Sequence, residues 1–333
     1  MTFSMHFAYR CAARMLAAMT TSALDRRPAA TASEQPAAGR ADRLAGMALM
    51  LGSGLSSQFG AATATLAFPV LGPAGVVAIR QWVAGTVLVA IGRPRLRSYT
   101  WAQWWPVLCL AAVFATMNLS LYVAFARIGL GLAVTLEFLG PLAVALAGSR
   151  RVLDLSCAIV AGAAVVVLAR PQATTDYLGI ALSLVAASCW AGYILLNRVI
   201  GKRLPGVEGP AAAAAISGLL YVPIGIWMLL SHQPTLSSIG CAAAAGVLSS
   251  AVPFLSDMLA LRRVPARFFG LFMSVNPVLA ALIGLLILNQ GLQLADWLAI
   301  AMIVTANAVS VGTTSRTTST PDAPAIADEA SCR

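Results

Sequence analysis

Long apolar runs separated by short polar connections fill the chain between residues 44 and 312. A helix that crosses a bilayer needs about 20 predominantly apolar residues. Ten runs approach that length, and the connections leave no room for a soluble domain. The pattern predicts an all-α integral membrane fold of ten transmembrane helices, at residues 44–67, 74–92, 104–126, 130–148, 153–169, 178–197, 211–230, 238–260, 267–288 and 294–312.

Composition and charge agree with a membrane protein. Hydrophobic residues make up 59% of the chain and charged residues 10%, against about 25% charged residues in soluble domains. With the N-terminus in the cytoplasm, the inside segments hold 19 of the 22 Lys and Arg residues, and the outside loops hold only Arg127 and Arg170. Cytoplasmic loops are enriched in Lys and Arg. The net charge of +10 is therefore explained by the membrane topology, with both termini in the cytoplasm. It does not indicate that the protein binds nucleic acid.

Both ends of the chain differ from the apolar middle. Residues 1–42 and 313–333 are rich in small, polar and proline residues, a composition typical of disorder. We expect both segments to be disordered cytoplasmic tails. The first is either such a tail or an extension upstream of a start at Met47.

A weak internal repeat relates the two halves of the chain. A shift of 136 residues lays spans 3 and 4 over spans 8 and 9, with eight identities in 31 positions, and it pairs Pro141 with Pro277. The repeat unit is then five spans, and an odd number inverts the second half relative to the first. We expect five-helix repeats at residues 43–170 and 171–312. Inverted repeats around a midplane site are characteristic of secondary transporters.

Glu137 is the single charged residue of the stretch AVTLEFLGPLAVALAG, residues 133–148, and lies near the centre of its span. Proline removes the hydrogen bond to the carbonyl four residues back, so Pro141 frees the carbonyl of Glu137 itself. Matched breaks at the midplane point to a transporter binding site. We therefore expect Gly140, Pro141 and Pro277 to mark helix breaks beside that site.

The position of Glu137 leaves two interpretations open. An acid at the bilayer centre costs about 2.5–3.5 kcal/mol on insertion scales, so it should face the bundle interior. Glu137 is either protonated and makes one interhelical hydrogen bond, or it carries a proton or contacts the substrate.

Other polar and aromatic residues recur at helical spacing within the spans. Each taken singly could be a packing residue, but together they predict a central cavity with Glu137. These candidates for substrate binding or coupling are Gln58, Arg80, Asn118, Tyr122, Trp190, Tyr193, Asp257 and Asn276.

The charged candidates have further alternatives. Arg80 could snorkel, pair with an acid or meet a substrate carboxylate, and we favour the pairing. Asp257 could instead pair at the cytoplasmic surface with Arg262 or Arg263.

Sequence motifs for catalysis are absent. The chain contains no Walker A motif, no H-E-x-x-H, no G-x-S-x-G and no C-x-x-C pair, and its histidines are His6 and His232. We therefore expect no enzyme activity, no cofactor and no metal. A membrane-embedded receptor or enzyme is the alternative from a different class. A channel is a further alternative, but paired midplane breaks favour alternating access.

Four stretches of the chain carry a family resemblance: AVTLEFLGPLAVALAGSRR (133–151), SCWAGYIL (188–195), SSAVPFLSDMLALRRVPARFFGLFMSVNPVLAALIG (249–284) and PAGVVAIR (73–80). They resemble the drug/metabolite transporter superfamily, the ten-span EamA-type exporters, and within it the bacterial threonine/homoserine exporters. The resemblance covers roughly residues 45–312. It implies a multi-pass protein of the bacterial inner membrane that exports small amino acids or related metabolites, coupled to protons. An exporter of drugs or other metabolites is the alternative.

The chain departs from that family at two places. Members commonly carry a glutamate before the proline of span 9, where this chain has Asn276. They also carry a Gly-Glu pair at the outer end of that span, where this chain has Asn289 and Gln290.

Overall fold

The computed structural model describes residues 40–147, 156–157, 159–164, 176–231, 233–261 and 273–314. Most of the two expected tails, residues 1–39 and 315–333, lies outside the described residues. So do most of the fifth predicted span, His232, and the start of the ninth span with its preceding loop, residues 262–272. Within the described ranges the secondary structure is helical, and no strand occurs there.

The first half of the chain forms a run of helices joined by short turns. Helix α4 ends at Glu137 and α5 restarts after a single turn residue, Phe138. The described residues between 156 and 164 are also helical. The helices are α1 (Arg40–Thr65), α2 (Phe68–Gly92), α3 (Trp101–Ile128), α4 (Leu130–Glu137) and α5 (Leu139–Ala147), with a 3-10 turn at Leu96–Ser98.

The second half of the chain is also a run of helices joined by short connections. Helices α9 and α10 are joined without a break by a π-helical turn at Val247–Ala251. The helices are α6 (Tyr177–Gly201), α7 (Glu208–Leu220), α8 (Val222–Ser231), α9 (Leu236–Gly246), α10 (Val252–Leu261), α11 (Asn276–Leu288) and α12 (Leu294–Thr314).

Five helical segments among the described residues are long and apolar enough to cross a membrane. The five segments are Phe68–Gly92, Trp101–Ile128, Tyr177–Gly201, Glu208–Ser231 and Leu236–Asp257.

Local capping explains where several helices begin. Thr100 and Gln103 form a reciprocal capping box at the start of α3, which satisfies backbone N–H groups that have no partner within the helix. The Asp176 carboxylate accepts a hydrogen bond from the backbone N–H of Gly179 over 2.9 Å at the start of α6. Each capping residue lies just before an apolar run, so it marks the end of the loop and the start of the helix.

Helix packing brings distant segments of the chain together. α3 packs along α6, α1 packs along α9 and α10, α2 packs on α7, and α4 packs on α11. The contacts are rich in alanine, and Ala62, Ala124 and Ala213 are fully buried. Small residues let helix backbones approach closely where lipid supplies no hydrophobic driving force. These contacts surround a cavity between the helices.

Candidate functional site

A cavity of about 200 Å³ lies between α1, α2, α3, α4, α6 and α10, with Asn276 of α11 at one side. Seven of the nine residues predicted for substrate binding or coupling line it. These are Gln58, Arg80, Tyr122, Glu137, Trp190, Asp257 and Asn276.

The other two predicted residues do not line this cavity. Asn118 lies behind Arg80, and its Oδ1 accepts a hydrogen bond from the Arg80 guanidinium. Tyr193 packs on Phe114, with ring centroids 5.5 Å apart. Asn118 therefore contacts Arg80 from outside the cavity lining, whereas Tyr193 belongs to the packing between α3 and α6.

Arg80 projects from α2 into the cavity and is held by neutral groups. Its Nε donates to the Ser249 Oγ over 3.0 Å, one terminal nitrogen donates to Asn118, and the guanidinium carbon lies 4.9 Å from the centre of the Tyr122 ring. We favoured a pairing with an acid, but the ion pairs among the described residues join Arg95 to Glu208 and Arg127 to Asp176. Arg80 is thus a positive charge at the cavity that no carboxylate of the described residues contacts.

Ser249 belongs to the π-helical turn, a type of helix irregularity that is frequent at functional sites. The turn displaces two backbone carbonyls from the ordinary helical ladder. Ser56 of α1 donates to the carbonyl of Leu248 over 2.7 Å, and Arg80 contacts the carbonyl of Ser249 at 3.4 Å. The irregular turn is therefore stabilised by side chains from α1 and α2.

Glu137 is the last residue of α4 and is 7% exposed, at the cavity wall. Among the described residues no side chain donates a hydrogen bond to its carboxylate. The helix is interrupted at Phe138, three residues before Pro141. Proline cannot donate to the carbonyl four residues back, which explains the interruption at this point. The acid and the break lie together, on the face that lines the cavity.

Gly140 lies inside α5, two residues after the break. A Cβ at this position would lie 2.2 Å from the carbonyl oxygen of Ala187 on α6. The glycine is therefore needed for the close approach of α5 and α6.

Pro277 stands at the start of α11, after a turn at Ser274–Val275. It leaves the carbonyl of Met273 without a backbone donor, and the Nδ2 of Asn276 donates to that carbonyl over 3.1 Å. Asn276 thus satisfies a carbonyl that the proline frees, while its side chain also lines the cavity.

Asp257 lines the cavity from α10 and accepts a hydrogen bond from Ser53 Oγ over 2.6 Å. The alternative partners Arg262 and Arg263 lie outside the described residues. Ser53 joins α1 to α10 across 204 positions of the chain.

Among the α1 residues that line the cavity, only Gln58 was predicted from the sequence. Besides Gln58 the wall of the cavity on α1 contains Ser53, Gly54, Ser57 and Ala61. These positions fall on one face of a helix, since side chains three and four residues apart lie side by side. The small and polar stripe within LGSGLSSQFGA was the signal that could have found them.

The loops that we place outside also contain polar contacts. Gln290 Oε1 accepts a hydrogen bond from the backbone N–H of Leu130 over 2.9 Å, so this residue caps the start of α4. Arg127 forms an ion pair with Asp176 at 2.9 Å. The backbone N–H of Gly179 and then the Arg127 side chain hold the pKa of Asp176 below its ordinary value.

Metal-binding geometry is absent from the described residues. No group of three or more His, Cys, Asp or Glu side chains lies together there in a way that could hold an ion. The described lining of the cavity offers hydrogen-bonding groups and charged side chains.

Comparisons with known proteins give concordant results. Residues 177–312 match the EamA-like transporter family. The chain is 36% identical over 265 residues to the threonine/homoserine exporter RhtA of Escherichia coli (strain K12), which covers 78% of this chain and 88% of that protein. The RhtA of Salmonella typhimurium (strain LT2) matches with the same identity and coverage.

Two further likenesses are weaker. The uncharacterized transporter YwfM of Bacillus subtilis (strain 168) is 26% identical over 130 residues, covering 39% of this chain and 44% of that protein. One solved crystal structure resembles the chain with a TM-score of 0.54 at 21% identity, covering 81% of this chain and 97% of the other. This last likeness concerns the fold alone.

The helical architecture, the polar cavity between the helices and the long match to RhtA agree with the resemblance found in the sequence. The chain is a multi-pass membrane protein and belongs to the EamA-like transporter family.

Proposed function

We propose that the protein is a secondary transporter that exports small amino acids of the threonine and homoserine type from the cytoplasm. The observation that carries this proposal is the cavity that contains Arg80 and Glu137, which are not paired with each other. An amino acid carries one positive and one negative charge, so such a cavity offers a partner to each. The name of the 36% identical relatives supports this substrate class.

The size of the cavity favours small metabolites over drugs. Pockets for drug-sized ligands measure about 300–1,000 Å³, whereas this cavity measures about 200 Å³. Export of drugs is therefore the less favoured alternative within transport.

The proposed fold has ten spans in two inverted repeats, residues 43–170 and 171–312. A shift of 136 residues carries α1 onto residues 176–201, where α6 spans Tyr177–Gly201. The same shift carries Phe138, at the break between α4 and α5, onto Ser274, at the turn before α11. The positions of these elements support the repeat.

The packing supports it as well. The repeat makes α3 equivalent to α9 with α10, and it makes α6 equivalent to α1. Correspondingly, α3 packs along α6, and α9 and α10 pack along α1. Helix pairs that are equivalent under the shift thus make equivalent contacts, as an arrangement with pseudo-two-fold symmetry requires.

We propose that Glu137 couples export to the proton gradient of the inner membrane. Its carboxylate lies at the cavity wall beside a helix break, where it can exchange a proton as the cavity opens to alternate sides, or meet the ammonium group of the substrate. Moving one charge across a potential of 100 mV supplies about 2.3 kcal/mol. One coupled proton therefore gives useful drive.

Export from loaded vesicles tests the proposal. Proteoliposomes containing the protein and labelled threonine or homoserine should release the amino acid faster when a pH gradient is imposed, and protein-free vesicles should not. Release of a drug panel but of no amino acid would favour the alternative. Equal release with and without a gradient would refute proton coupling and leave the substrate class in place.

A further inference from the structure

Arg80 is oriented by acceptors that are themselves held in place. The Nδ2 of Asn118 donates to the carbonyl of Phe114 over 2.8 Å, so its Oδ1 is left as the acceptor that receives the guanidinium. The Ser249 hydroxyl donates to the carbonyl of Ala245 over 2.6 Å, and its oxygen is left to accept from Arg80. Both partners are therefore fixed as neutral acceptors.

The Tyr122 ring packs against one face of the Arg80 guanidinium. It is 1% exposed and packs against the Phe68 and Phe125 rings, with centroids 6.1 and 5.1 Å away. A cation over an aromatic face is stabilised when it is removed from water. The ring holds the cation without neutralising it.

The guanidinium keeps donors to spare. It has five N–H groups, and the contacts to Ser249 Oγ, Asn118 Oδ1 and the Ser249 carbonyl use three of them. One N–H remains on each terminal nitrogen. The terminal N–H groups of a guanidinium can bind the two oxygens of a carboxylate together.

From this geometry we propose that Arg80 binds the α-carboxylate of the substrate, and that the protein therefore selects amino acids with a free carboxylate and rejects their amides and esters. The inference rests on the proposed export of amino acids, because it assigns one end of that substrate. Asn118, Ser249 and Tyr122 are positioning residues, since they act through the guanidinium.

A positive charge within a transmembrane segment is costly and is normally paired. Among the described residues, the groups in direct contact with the Arg80 guanidinium are neutral acceptors and a ring, and Glu137 lines the same cavity without forming an ion pair with it. A bound carboxylate would supply the missing negative charge, and it would leave Glu137 available for the ammonium group or a proton.

The experiment is an exchange assay with competitors that differ only at one end. Proteoliposomes exchange labelled L-threonine in the presence of unlabelled L-threonine, L-threoninamide, L-threonine methyl ester, or 3-hydroxybutyrate, which keeps the carboxylate but lacks the amine. We expect the amide and the ester to compete at least about tenfold more weakly than threonine, because a charge-assisted pair is lost. 3-Hydroxybutyrate should compete measurably better than the amide.

Variants place the discrimination at Arg80. Arg80→Gln should bind threonine and threoninamide alike, and Arg80→Lys should keep a reduced preference for threonine. Arg95→Gln is the matched control, because Arg95 lies outside the cavity and pairs with Glu208; it should discriminate as the parent does. If Arg80→Gln does not accumulate, the competition series on the parent protein still decides.

The outcomes separate this inference from the proposed function. Exchange of threonine that is inhibited equally by threonine and threoninamide would overturn the carboxylate site and leave amino-acid export standing. An Arg80→Gln variant that keeps the parental preference would do the same. Absence of any amino-acid exchange would refute the proposed function, and the inference with it.

Discussion

Gln81 and Ser217 are joined by a buried hydrogen bond in which Gln81 Nε2 donates to Ser217 Oγ over 2.6 Å. The two residues are 136 positions apart, the shift that relates the proposed repeats. Next to them, Trp82 Nε1 donates to the carbonyl of Gly218 over 3.0 Å, again across 136 positions. In a pseudo-symmetric protein a residue near the two-fold axis contacts its own equivalent. The proposed axis therefore runs between α2 and α7.

Loss of the Gln81–Ser217 hydrogen bond should lower the free energy of unfolding by the amount typical of interhelical hydrogen bonds in membrane proteins. Interhelical hydrogen bonds in a membrane protein average about 0.6 kcal/mol in double-mutant cycles, with a maximum of about 1.7. We expect Ser217→Ala and Gln81→Leu to be destabilising, and the double variant to be less destabilised than their sum by about that energy. Unfolding in detergent measures the cycle.

A second cycle is the control for this pair. Ser188 on α6 bonds to the carbonyl of Leu184 in its own helix, so Gln81→Leu and Ser188→Ala should be additive. Additive effects for Gln81 and Ser217 as well would show that their contact contributes nothing.

Replacing Glu137 by glutamine keeps the size of the side chain but abolishes its titration. We expect Glu137→Gln to reach the membrane at parental abundance and to lose efflux driven by a pH gradient. Glu208→Gln is the matched control, since Glu208 pairs with the exposed Arg95 away from the cavity, and it should export normally. Parental export by Glu137→Gln would show that coupling does not depend on the titration of Glu137.

A methyl group at position 140 should separate α5 from α6. Because a Cβ there would lie 2.2 Å from the Ala187 carbonyl oxygen, we expect Gly140→Ala to destabilise the protein by about 1–3 kcal/mol. At Gly52, inside α1, a Cβ meets nothing within 4 Å. Gly52→Ala should instead stabilise by about 0.5–1 kcal/mol. Melting temperatures in detergent compare the two variants, and equal shifts would contradict the packing argument.

The helix cap that Asp176 forms at the start of α6 should stop stabilising the fold at acidic pH. Its pKa is depressed in the folded protein, so its ionised form stabilises the fold above the unfolded pKa of about 3.9, and that contribution is lost as the pH falls through the folded value. Asp176→Asn keeps a capping oxygen but loses the charge. We expect the melting-temperature difference between parent and variant to be constant from pH 8 to pH 5 and to shrink below about pH 4. A difference that already shrinks between pH 7 and pH 5, or persists at pH 3, would contradict this account.

Reporter fusions test the proposed topology. Fusions after Gly312 and in the loop at residues 198–210 should report the cytoplasm, and fusions near His232 should report the outside. The reason is the distribution of Lys and Arg between alternate loops. An external signal from the C-terminal fusion would overturn the ten-span topology.

The helices and the membrane class follow from the amino-acid sequence alone. Apolar runs of spanning length must bury their backbone polar groups internally, and helices do so without a partner. The observed helices accordingly begin and end within a few residues of the predicted spans wherever they are described, as at Tyr177–Gly201 for the span at 178–197. The interruption at Phe138 follows from Pro141 by local chemistry alone.

The sequence also identified the three charged residues that line the cavity, because a charged side chain within a span is costly and must find the interior. Glu137, Arg80 and Asp257 all line it. The family resemblance, carried by quoted stretches of both halves, is confirmed by the match to the EamA-like family and to RhtA.

The contacts between side chains of different helices follow from the tertiary structure and not from the sequence pattern. The sequence favoured an acid as the partner of Arg80, and the structure supplies Asn118 and Ser249, which lie 38 and 169 positions away. Ser53 reaches Asp257 across 204 positions. The periodicity of a helix reports which face is buried, but the rotation and depth at which two helices pack depend on small residues such as Gly140 at their contact. Close packing of this kind determines which side chains meet the charge of Arg80, and no local pattern in the chain encodes it.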